Sequence, residues 1–98
     1  MKSINYQDYL IESLKDPEEA AGYLNVALES GDVNVFLLAL RNVVEANGGV
    51  TKLSKKAHKG RTSLYKALSD TGNPYLKSTH DLLSAIDLHL KVVANAHY

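Results

Sequence analysis

Apolar positions recur at three- and four-residue spacing along most of the chain, and polar punctuation cuts that pattern into short helices. Tyr6, Tyr9, Leu10 and Leu14 predict an amphipathic opening helix. Asp16-Pro17-Glu18-Glu19 marks the next start. Asp16 suits the N-cap, Pro17 the first helical position, and Glu19 is placed to reach back to the cap. The acids also favour the positive end of the helix dipole. Ala20, Leu24, Ala27 and Leu28 then form one apolar face, and Ser30-Gly31 ends the helix. Asp32 caps a third helix with a main stripe of Val33, Phe36, Leu37, Leu40 and Val44, widened by Val35, Leu38 and Ala39. A helix apolar on most sides is the one that neighbours surround. Asn47-Gly48-Gly49 stops it, because these residues tolerate a left-handed backbone.

The pattern changes after Gly49. Residues 50–57 read as a short helix, His58-Lys59-Gly60 as a tight turn, and residues 61–69 as a second helix with Leu64, Ala67 and Leu68 inward. Thr71-Gly72-Asn73-Pro74 reads as a loop. Ser78 or Thr79 is expected to cap a last helix carrying Leu82, Leu83 and Ile86. Leu88-His89-Leu90-Lys91-Val92 alternates apolar and polar, the strand period. A lone strand leaves its backbone groups unpaired, and no other strand is evident in the sequence. The expected neighbour is the same tail of a second copy, with Leu88, Leu90 and Val92 as dimerisation residues. The other reading runs the last helix on through residue 94. The expectation is one all-α domain over 1–98. It divides into N-terminal helices (1–47), a helix-turn-helix core (48–87) and a tail (88–98).

Length and composition agree with one soluble domain. The 98 residues are 45% hydrophobic and 22% charged, average for a globular protein, and a chain of this size buries roughly two-thirds of its unfolded surface. Without cysteine, disulfides and thiolate chemistry are excluded, which fits a reducing compartment. No apolar run is long enough to span a membrane, and MKSINYQDYL lacks a signal-peptide core. A cytoplasmic location is therefore expected. The formal net charge of zero hides a separation. Residues 1–45 carry Lys2, Lys15 and Arg41 against eight acids, a net −5. Residues 46–80 carry seven basic groups and Asp70, a net +6. Such asymmetry suggests one surface for a polyanion and another for a cationic partner.

Residues 50–69 carry the functional argument. Helix, short turn and second helix is the helix-turn-helix arrangement, in which the second helix enters the major groove and the first crosses the backbone. Leu53 and Ala57 are spaced to meet Leu64 and Leu68. The polar positions hold Lys52, Lys55, Lys56, Lys59, Arg61 and Lys66, and no acid occurs between Glu45 and Asp70. Cations without acids suit a phosphate-facing surface.

The segment VTKLSKKAHKGRTSLYKALSDTGNPYL resembles the helix-turn-helix of the Xre and phage-repressor class, and hence a lambda-repressor-like bundle of five to six short helices. Together with DYLIESLKDPEEAAGYLNVALESGD and LLSAIDLHLKV, it is most similar to probable addiction-module antidote proteins, the HigA-like antitoxins. Departures are His58 for the usual turn glycine, Lys59 for an apolar residue, Gly60 for a serine cap and Ser54 for a small alanine. By position, the resemblance implies Arg61, Thr62 and Lys66 as base-reading residues. It places Thr51, Lys52, Lys59, Asn73 and Lys77 at phosphates. It further implies a small basic RelE- or HigB-like toxin as partner, neutralised by direct binding, and operator DNA in the module's own promoter. Two alternatives stay open: a stand-alone repressor without a toxin, and an interaction module that no longer binds DNA.

An enzyme is not expected. His58, His80, His89 and His97 are scattered and show no H-E-x-x-H pattern, so no metal is expected. Ser63 and Ser69 lack a nucleophile elbow. Gly48-Gly49 lacks the frame of a phosphate loop, and Asp16, Glu18 and Glu19 serve the helix start. No catalytic residue and no cofactor are implied.

Overall fold

The protein is seen in a computed structural model that describes residues 5–57, 68 and 76–95. Five helices occur among the described residues: α1 (Tyr6–Ser13), α2 (Pro17–Glu29), α3 (Val33–Ala46), α4 (Gly49–Ala57) and α5 (Leu76–Ala85). Local chemistry sets most of their ends. The Asp16 carboxylate accepts from the Glu18 N–H at 2.9 Å, with Pro17 opening the helix. The second half of the expected capping box is replaced, since the Asp16 N–H donates to the Ser13 carbonyl at 3.2 Å. Gly31 takes φ 73°, and the Asp32 carboxylate then caps the Asn34 N–H at 2.8 Å. Asn47 closes α3, and Gly48 and Gly49 follow at φ 99° and 86°. A Cβ at Gly48 would strike the Lys52 side chain, which folds back across it.

α3 is the central helix, packed by α1, α2 and α4, while α5 packs against α4. Phe36, Leu37, Ala39, Leu40, Val43, Val44 and Ala46 are all buried on it. The expected stripe is not wholly inward, for Val33 of its main row and Val35 and Leu38 of its widening are exposed. Ala20, Leu24 and Ala27 form the inner face of α2, with Leu28 left at the rim.

α1 departs from its expected phase. Leu14 is 2% exposed and Leu10 and Ile11 pack against the core, but Tyr6 stands 73% exposed and Tyr9 is also open. Gln7, itself exposed, reaches across to α3 instead. Its amide donates to the Asn42 side-chain carbonyl at 2.9 Å, and the Asn42 amide donates to the Tyr23 hydroxyl at 2.9 Å. A buried polar group must be hydrogen-bonded, so this bridge across α1, α3 and α2 decides which way α1 faces.

The last helix begins before the expected caps. α5 starts at Leu76, so Ser78 and Thr79 lie in its first turn, and Thr79 is buried inward. Leu82, Leu83 and Ile86 enter the core as expected. α5 stops at Ala85, and the helical continuation through residue 94 is not observed. The reason is a left-handed cap at Asp87, φ 62°. Leu88 N–H donates to the Leu83 carbonyl at 2.8 Å and Asp87 N–H to the Ser84 carbonyl at 3.2 Å. Leu88 packs on the core. This is a Schellman closure with an aspartate where glycine is preferred. Asp87→Gly is therefore expected to stabilise the fold by about 0.5–1 kcal/mol, seen as a rise of about 4 °C in thermal midpoint. A lowered midpoint would contradict it.

Candidate nucleic-acid interface

The helix-turn-helix expectation begins at α4. Its inner face is Val50, Leu53 and Ser54, all buried, and its outer face is Thr51, Lys52, Lys55 and Lys56, all exposed. Ser54 stands where a smaller alanine is usual. Its hydroxyl donates to the Thr51 carbonyl at 2.9 Å, so the buried oxygen is satisfied within its own turn and the inner face still packs.

The far end of the second predicted helix is anchored at Leu68, which is buried in the same core as Leu53. Arg41 of α3 donates through Nε to the Leu68 carbonyl at 2.8 Å. A charged donor on a carbonyl is among the stronger neutral-partner contacts, worth about 1.5–3 kcal/mol. Arg41 thus ties the central helix to Leu68, where the segment expected to read DNA ends. The sequence reading had counted it only as a charge. Asn42 was missed as well, although its spacing from Ala39 and Ala46 placed it in phase with an inward face.

Of the phosphate candidates, Thr51 and Lys52 are exposed on α4 and Lys77 is exposed on α5, the helix packed against it. Lys77 Nζ lies 3.8 Å from Asp81 Oδ2, with its side chain 77% exposed. That loose surface pair leaves the ammonium accessible to a phosphate. Lys59 and Asn73 lie outside the described residues, as do the base-reading candidates Arg61, Thr62 and Lys66 and the turn His58-Lys59-Gly60.

The tail residues are placed differently from one another. Leu88 is half-buried against its own core, whereas Leu90 and Val92 are exposed, Val92 at 98%. Among the described residues, 88–95 form neither helix nor strand. Among the described residues, too, no group of acids and histidines is placed to hold a metal, and no helix is long and apolar enough to cross a membrane.

An uncharacterized protein of Haemophilus influenzae is 33% identical over 81 residues, covering 83% of this chain and 82% of its own. No solved structure matches. A family model described as probable addiction module antidote protein matches residues 2–94. An antidote implies a toxin as partner, and a match over nearly the whole length assigns the chain to that family: it belongs to the probable addiction module antidote proteins.

Proposed function

We propose that this antidote neutralises a RelE- or HigB-like toxin by direct binding and, as a homodimer, represses its own promoter in the cytoplasm through a helix-turn-helix of the Xre type. One observation carries the DNA reading. α4 buries Val50, Leu53 and Ser54 and turns Thr51, Lys52, Lys55 and Lys56 outward. A helix lying across a duplex backbone needs this division, with an apolar side to hold the second helix and a cationic side toward phosphates. Arg41 supports the arrangement from behind by gripping the Leu68 carbonyl.

In this reading Arg61, Thr62 and Lys66 face base edges. Thr51, Lys52, Lys59, Asn73 and Lys77 hold phosphates. Two protomers joined through their tails span two half-sites about one helical turn apart. Arg61→Ala is expected to relax sequence choice, costing about 1–3 kcal/mol at the preferred site and little on random duplex. Lys52→Ala is expected to weaken all sequences alike and to reduce the salt slope by about 1. Gel shifts with the promoter fragment and a scrambled duplex check both. Unaltered binding by both variants overturns the site assignment, and absence of any shift with the wild-type chain favours an interaction module that has lost DNA binding.

A further inference from the structure

The outer surfaces of α2 and α3 bear large apolar side chains that the fold does not use. Val26 is 69% exposed and Leu38 55% exposed, with Val35 beside them. They converge on a groove of about 230 Å³ between the two helices, with Tyr23 and Ala27 in its walls. A second depression, between α1 and α2, shares Tyr23 and Val26 with the first and adds Leu10, Gly22, Glu18 and Glu19. Scattered apolar residues on a surface are ordinary, but residues gathered on one concave strip mark a contact.

Three features say what the strip receives. First, Gly22 sits inside α2, where glycine costs about 0.5–1 kcal/mol relative to alanine. Among the described residues, and its own helix backbone and chain neighbours aside, nothing lies within 4 Å of where its Cβ would stand. No packing among the described residues needs the glycine, and its open space deepens the depression between α1 and α2. Second, the wall is held in place. The Tyr23 hydroxyl accepts from Asn42, which in turn accepts from Gln7, so little ordering remains to be done on binding. Third, the surroundings are acidic. Glu18 and Glu19 line the strip, and Glu29 and Asp32 are exposed at the far end of the same helix pair. Among the described cations of α1 to α3, Lys15 is paired with Glu12 at 2.8 Å and Arg41 is directed at Leu68.

An acidic apolar strip repels DNA. It also disfavours a second copy of this chain, because a two-fold contact would set one copy's acids against the same acids of the other. The complementary occupant is an apolar ridge flanked by Lys or Arg. We propose that this strip, formed by the groove walled by Tyr23, Val26, Val35 and Leu38 and the adjoining depression that Glu18 and Glu19 line, receives a basic amphipathic segment of the toxin. The proposal rests on the antidote reading and adds to it the place and chemistry of the contact.

The test uses the full chain and the small basic protein encoded beside its gene, co-expressed and then measured as purified components. Val26→Lys combined with Leu38→Lys is expected to weaken the complex about 100-fold or more and to abolish rescue of growth. Both residues are exposed, so the circular dichroism spectrum and the promoter gel shift should not change. Glu18→Lys with Glu19→Lys, also on exposed positions, is expected to slow association about 10-fold at low salt, with the difference fading at high salt. Unchanged toxin affinity in both double variants overturns the proposal while the antidote reading stands. Loss of dimerisation with toxin binding intact also overturns it, by showing that the groove joins two copies of this chain. If the wild-type chain itself fails to bind the neighbouring protein, both the reading and the proposal fall.

Discussion

Leu40→Ala is expected to remove about 3–5 kcal/mol of folding stability. Leu40 has no exposed surface and lies midway along α3, the helix against which α1, α2 and α4 all pack. Truncation there loses the transfer energy of the side chain and leaves a cavity that three neighbours line and cannot jointly collapse. A domain of this length has about 5–15 kcal/mol in total, so about a fifth or more of its stability disappears. Leu38→Ala, two residues away on the exposed side, is expected to cost under about 0.5 kcal/mol. Urea titrations of both variants check the contrast. Equal losses would show that α3 is not the centre of the fold.

Leu90→Lys with Val92→Lys is expected to convert the proposed dimer to a monomer and to lower affinity for the proposed operator about 100-fold, as two linked half-site contacts become one. The Schellman closure at Asp87 turns the chain off α5, and the segment that follows presents Leu90 and Val92 to solvent. Such a segment offers unpaired backbone groups and an apolar row to a second copy. Substitution is a cleaner probe than deletion of residues 88–98, because deletion would also remove Leu88 from the core it packs against. Light scattering and a promoter gel shift read the two effects. A dimer that survives the double substitution contradicts the tail as the joining element.

The helix boundaries that were legible in the sequence are those set by a few adjacent residues. Asp16-Pro17, Asp32 and Asn47-Gly48-Gly49 each carry their cap chemistry in place. What escaped depends on partners distant along the chain. The phase of α1 follows from Gln7 meeting Asn42, 35 residues away, and a period of apolar residues cannot register a polar one that is satisfied inside. The end of α5 before Leu88 was legible as a change of period, but its left-handed cap at Asp87 was hidden, because an aspartate there has no glycine to announce it. At the candidate site, the cationic face of α4 was visible as a run of lysines without acids. The Arg41 contact was not, because it joins a side chain to a backbone carbonyl 27 residues on, and carbonyls have no sequence signature. The groove on α2 and α3 was hidden for another reason: Val26, Val35 and Leu38 read as helix-forming apolar residues, and only their exposure separates them from the core.

The central claim is that the unit beginning at α4 binds a duplex through its cations, and the salt dependence of promoter binding tests it most directly. A dimer setting Lys52, Lys59 and Lys77 of each protomer on phosphates is expected to give a log–log slope of affinity against salt of about −5. It should also prefer its own promoter to random duplex about 1,000-fold. A slope near zero, or equal affinity for the two DNAs, would contradict the account.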